Sequence, residues 1–294
     1  MVTQNTRAVK VSFFYLTDLV TGDPAPDVDW NAELKNLTAP YEHDYGGRPL
    51  QGIYVPGSYP CISIAIDRPF APRQRNVANG NRSALPLSRG HEPIEETFVV
   101  FCPNGIIGIL RSSGSAPHPA AVAVWLTARF HGPDPSDGDS RWGIEPLIHP
   151  NTLRQISEVE PSRLTLRVPA ENAGLLSEGA YYRQFLSGVF GLQRGMHLEI
   201  TISARRGDVG VDSRHQLHDA LESALPDLEV FDKAVLVAAR PGEASKEPIN
   251  LLKDRMATKV VIPVKDRALD IASVIASIVT AYNDHRDELD AAKP

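Results

Sequence analysis

Cysteine is nearly absent: Cys61 and Cys102 are the only two in 294 residues. Both sit in apolar runs, Cys61-Ile62-Ser63-Ile64 and Phe98-Val99-Val100-Phe101-Cys102, with no flanking activating residue. So sparse a pattern points away from a disulfide framework or a nucleophilic thiol, and towards two small buried hydrophobes. Long apolar stretches are missing too. None reaches the ~18 residues that a membrane helix needs, and Met1 to Lys10 is polar with no apolar signal-type core. A cytoplasmic protein with no membrane partner is the expectation. The motifs of common cofactors are also lacking. There is no Gly-x-x-x-x-Gly-Lys-Ser/Thr, no Gly-x-Gly-x-x-Gly and no Gly-x-Ser-x-Gly. No cofactor is expected, and no catalytic residue is assigned.

Lysine is scarce: eight of the 30 cations, the rest being arginine. Arginine suits planar, two-pronged phosphate contacts, although a GC-rich genome yields the same bias. Acid is missing from one place in particular. Between Arg68 and Gly90 there is no Asp or Glu, while Arg68, Arg73, Arg75, Arg82 and Arg89 give the segment +5 in a chain whose net charge is −6. Pro69, Pro72, Pro86, Gly80 and Gly90 make it read as a loop rather than a helix or strand. A basic loop in an acidic protein is a natural phosphate contact. Its other reading is a solvated surface whose arginines pair with acids elsewhere, and only Phe70 is at hand to stack on a base.

The composition is that of a folded protein, 42% hydrophobic and 22% charged, with length enough for one large or two smaller domains. Strands are expected at Val9–Leu16, Cys61–Asp67, Thr97–Cys102, Ile106–Leu110, Leu164–Val168, Leu198–Ile202, Val230–Ala238 and Lys259–Val264. Pro103-Asn104-Gly105 marks a hairpin between two arms so apolar that both faces should be covered. Helices are expected near Asp29–Leu37, after Ser115 through Ala128, along Leu175 to Val189, from a Ser213/Gln216 capping box to Ala224, and from a capping Asp266 along a stripe of Leu269, Ala272, Ile275, Val279 and Tyr282. The fold class is α/β or α+β, a mixed β-sheet with packed helices and a long C-terminal helix. The Gly/Pro/Asp-rich stretch Gly132–Arg141 suggests a split into a β-rich part, 1–131, and a second part, 142–294.

Four constellations are candidates for function. The basic loop is the first. The second is Arg111-Ser112-Ser113-Gly114-Ser115, which leaves a strand and enters a helix. Small residues at a helix start can cradle an anion, so Arg111, Ser113, Gly114 and Ser115 join the loop arginines as candidate phosphate contacts; alternatively this is an ordinary turn with Ser115 as N-cap. The third is a polar helix stripe, His215, His218, Asp219 and Glu222, which reads as a solvated face before it reads as a metal site. The fourth is the set of carboxylates Asp18, Asp67, Glu95 and Glu96, whose convergence nothing in their spacing requires. No metal site is assigned.

The first functional expectation is thus a nucleic-acid-binding or accessory protein of a bacterial multi-component system. Antiviral defence is one such setting, suggested only by the absence of metabolic signatures. The alternatives are a metal-dependent hydrolase or nuclease, and a structural subunit that oligomerises, with itself or with another protein, through the C-terminal helix.

Overall fold

The longest strand shows how coverage is written into sequence. β1 (Thr6–Asp18) starts as an alternation, with Val9 and Val11 buried between exposed Ala8 and Lys10, and ends in a buried run, Phe13-Phe14-Tyr15-Leu16. One covered sheet face produces the first pattern, and two produce the second. This computed structural model describes residues 6–18, 28–37, 39–45, 47–68, 73–75, 82–84, 87, 91–132, 142–170, 196–204, 210–225, 227–228, 230–239, 247–265 and 268–293.

Nine strands make the first sheet. Besides β1 they are β2 (Tyr41–Asp44), β3 (Pro49–Tyr54), β4 (Cys61–Asp67), β7 (Ile94–Phe101), β8 (Ile106–Arg111), β9 (Trp142–Pro146), β14 (Ala257–Lys265) and β15 (Ala268–Leu269). The order is β15-β14-β1-β8-β7-β4-β3-β2, and β9 pairs with the far half of β1. Helices α1 (Trp30–Lys35) and α2 (Pro119–His131) cover one face, where Leu34, Val122, Trp125 and Leu126 meet Phe14, Ile62, Ile64, Val99 and Ile107. On the other face, α5 (Ile271–Asp284) and α6 (Arg286–Ala291) lay Val274, Ile275, Ile278, Tyr282 and Leu289 on Val11, Phe13, Phe98, Val100 and Leu110. Both arms of the β7–β8 hairpin are sandwiched, as their apolar runs require. Asn104 and Gly105 take φ of 63° and 73° at its turn, the left-handed region that Asn and Gly tolerate.

A second sheet has β10 (Glu160–Pro169), β11 (His197–Ser203), β12 (Lys233–Ala239) and β13 (Glu247–Asn250), in the order β11-β10-β12-β13. Helices α3 (Pro150–Glu158) and α4 (Gly210–Ala224) cover one side of it, with Ile156, Leu217 and Leu221 against Leu164, Leu166 and Leu236. The opposite side is polar: Thr165 pairs with Thr201 at 3.3 Å and Lys233 with Glu199 at 3.0 Å. All the described strand pairs are antiparallel. The fold is α+β, two antiparallel sheets with packed helices that include the C-terminal one. No helix among the described residues is long and apolar enough to cross a membrane.

Sheet pairing groups the chain otherwise than by a cut at 132–141. β9, beyond that stretch, pairs with β1, and β14 from near the C-terminus pairs with β1 as well. The second sheet is therefore an insertion between Pro146 and Ala257. Its entry and exit run side by side: Met256 N–H donates to the Leu147 carbonyl at 2.7 Å and His149 N–H to that of Asp254 at 2.8 Å.

The helix starts differ from expectation in three places. α2 begins at Pro119, after His118, so Ser115 is not its cap; Pro119 fits the first position because an N–H there has no intrahelical partner. α4 begins at Gly210, which puts Ser213 inside the helix rather than at its cap. The final helix is capped by Asp270, whose carboxylate accepts the Ser273 N–H at 3.0 Å, because β15 intervenes after Asp266. That helix also breaks at His285 into α5 and α6. The expected helix along Leu175 to Val189 lies outside the described residues.

Candidate phosphate-binding surface

The basic segment leaves β4 at Asp67, and its first arginine is tied down at once. Arg68 N–H donates to the Pro93 carbonyl at 2.8 Å, and its Nε lies 3.3 Å from Glu95 Oε1. Glu95 is 8% exposed, so the pair gives a buried carboxylate a counter-charge. The second oxygen of that carboxylate accepts a hydrogen bond from the Ser113 hydroxyl at 2.5 Å. Glu95 thus joins the root of the basic segment to the turn after β8. Its neighbour Glu96 points to the other side of the strand, as alternation demands, and accepts from the Ser63 hydroxyl at 3.0 Å. The two adjacent carboxylates do not converge.

The Arg111–Ser115 turn is closed from within. Arg111 donates through Nη2 to the carbonyls of Gly114 at 2.5 Å and Ala116 at 2.6 Å, and through Nε to Ala116 at 3.1 Å. Ser113 Oγ, besides donating to Glu95, accepts the Ser115 N–H at 3.2 Å. Ser112 prolongs the pairing of β7 with β8, exchanging bonds of 2.8 and 3.0 Å with the Glu96 backbone. Gly114 and Ser115 are exposed at the tip. Behind the turn stands His118, at the cap position of α2 but making no side-chain cap. Its Nδ1 is buried without a hydrogen-bond partner. Burial, helped by the Arg111 charge, lowers its pKa to about 4, so the imidazole is neutral at neutral pH.

The middle of the basic segment is not the structureless loop that its prolines and glycines suggest. β5 (Arg73–Arg75) and β6 (Arg82–Ala84) form an antiparallel ribbon in which Arg73 pairs with Ala84, Gln74 with Ser83 and Arg75 with Arg82. Directly opposite residues share a face, as do residues two apart along a strand. Positions 73, 75 and 82 therefore fall on one face of the ribbon. Phe70 and Arg89 lie outside the described residues.

The remaining candidates stay apart. His218 Nε2 sits 3.2 Å from Glu222 Oε1, one turn along α4. Among the described residues there is no group of three or more His, Cys, Asp or Glu that could hold a metal ion. Cys61 and Cys102 are buried and free, and burial pushes both thiols up to about 12, far from the thiolate form that a nucleophile needs. The apolar side of α5 is buried on the first sheet. Two residues central to this surface were not singled out for it from sequence: Glu95, which joins the two segments, and the half-buried His118. Their place in β7 and beside α2 was legible, but what they touch depends on the packing of β7, β8 and the turn.

No protein-family model matches this chain, and no curated protein matches it either.

Proposed function

We propose that the chain binds the phosphate backbone of a nucleic acid through the β5–β6 ribbon, as a non-enzymatic accessory protein. The observation that carries this reading is the ribbon's register, which aligns positions 73, 75 and 82, all arginine, on one face. Two-stranded ribbons have the dimensions to enter the major groove of B-form DNA, and arginine forks fit phosphate oxygens. A segment of +5 with no acid, in a −6 chain, directs an anion to itself. Arg68 and Arg111 are already engaged, Arg68 by Glu95 and Arg111 by two carbonyls, which leaves their donors less available to a phosphate. The phosphate contacts are thereby narrowed to Arg73, Arg75 and Arg82, with Arg89 beside them in sequence.

The test is an anisotropy titration of labelled single- and double-stranded DNA and RNA over a range of salt. Each neutralised phosphate adds about −0.9 to the slope of log K against log salt on B-DNA. Three arginines therefore predict a slope of about −3, falling by about two units in Arg73→Ala/Arg75→Ala. Absence of binding at low salt, or a slope that the double variant leaves unchanged, contradicts the reading.

A further inference from the structure

The ribbon's dimensions match one form of nucleic acid better than the others. Among the described strands β5 and β6 pair only with each other, and each is three residues long. A strand rises about 3.3–3.4 Å per residue, so positions 73 and 75 stand about 6.7 Å apart. That is about the rise of two base pairs along a duplex. Position 82 is directly opposite 75, at about 5 Å. The major groove of B-form DNA, ~12 Å wide, admits a ribbon of two such strands. Duplex RNA offers no such opening, because the major groove of an A-form helix is deep and narrow.

The composition of the segment points away from single strands. Proteins that grip single-stranded DNA or RNA stack the bases on aromatic rings. The ribbon's residues are Arg73, Gln74, Arg75, Arg82, Ser83 and Ala84, without a ring among them. From Arg68 to Gly90 the only aromatic residue is Phe70, and no residue is acidic. Donors are plentiful, since every ribbon residue but Ala84 has a side chain that can donate a hydrogen bond. Donors without rings suit a nucleic acid whose bases are already stacked on one another.

We propose that the nucleic acid held by the ribbon is duplex DNA, entered through its major groove, in preference to single strands and duplex RNA. The inference rests on the phosphate-binding function proposed for the ribbon, and adds to it the form of the ligand. Register decides which side approaches. Positions 73, 75 and 82 share one face, and Gln74 and Ser83 share the other. The arginine face meets the DNA, where guanidinium forks fit the phosphates that wall the groove. The Gln74–Ser83 face is left to solvent, and Ser83 is exposed.

The test is competition against labelled duplex DNA bound to the full chain at low salt. Unlabelled duplex DNA should displace the label at a concentration about ten-fold lower than duplex RNA or single-stranded DNA of the same length and sequence, as expected if each of those loses about one two-pronged arginine contact. Methyl green, which occupies the major groove, should displace the protein; netropsin, which occupies the minor groove, should not. Equal competition by the three nucleic acids, displacement by netropsin, or insensitivity to methyl green overturns the inference and leaves phosphate binding in place. Failure of the chain to bind any nucleic acid at low salt overturns both.

Discussion

The root of the basic segment and its ribbon contain the same residue type and use it differently. At the root, Arg68 faces a nearly buried Glu95, and Arg111 holds the Gly114 and Ala116 carbonyls. Those guanidiniums join β7, β8 and the entry to α2. In the ribbon, the strands are three residues long and the arginines recur on one face by register. A charge sum over sequence treats all five loop arginines as equal. The fold separates Arg68, which Glu95 engages, from positions 73, 75 and 82, which share one face of the ribbon.

That separation can be broken by measurement, and the largest effect belongs to the root. His118 takes a proton near 6.5 when unfolded and only at about 4 when folded. Between those values the unfolded chain binds more protons, so stability falls as pH drops through that window. The loss approaches ~3 kcal/mol. Urea unfolding at about pH 7 and about pH 4.5 should show it, and His118→Leu should flatten the profile. Next is Arg111→Ala. It strips charged donors from two carbonyls in a half-buried turn, and a loss of about 2 kcal/mol is expected in the same assay. Arg68→Ala leaves the nearly buried Glu95 with only its Ser113 hydrogen bond, but the arginine itself is 46% exposed, so a loss of about 1 kcal/mol, smaller than that of Arg111→Ala, is expected. The smallest change in stability is expected in the ribbon: Arg73→Ala/Arg75→Ala should stay within about 0.5 kcal/mol of the parent, although it should have the largest effect on nucleic-acid binding. Equal destabilisation by root and ribbon variants would erase the distinction.

Much of the first sheet was legible because its strands are strongly patterned. β1, β4 and the β7–β8 hairpin announce themselves through apolar runs and one Asn-Gly turn, and β10 and β11 through alternation. β2 and β3 do not. Tyr41-Glu42-His43-Asp44 has no apolar period, and Pro49 to Tyr54 contains a proline and a glycine. β3 is a strand because β4 offers it a ladder, with the Trp125 ring so close to Gly52 that no side chain would fit there, and β2 is one because β3 in turn offers it a ladder. Helix caps were misplaced where several Ser or Asp candidates lie within a few residues. A proline at 119 and the short β15 pairing decided between them. The positive charge of the basic segment is written in the sequence, but the wiring of its root is not. Ser113 and Glu95 are 18 residues apart, and they meet only because β7 and β8 pair.

One titration tests the central claim most directly: labelled duplex DNA at low salt against the parent, Arg68→Ala, and Arg73→Glu/Arg75→Glu, each confirmed as folded. The account predicts that Arg68→Ala binds like the parent, while charge reversal in the ribbon abolishes binding. Binding lost equally in both variants, or in neither, would contradict it.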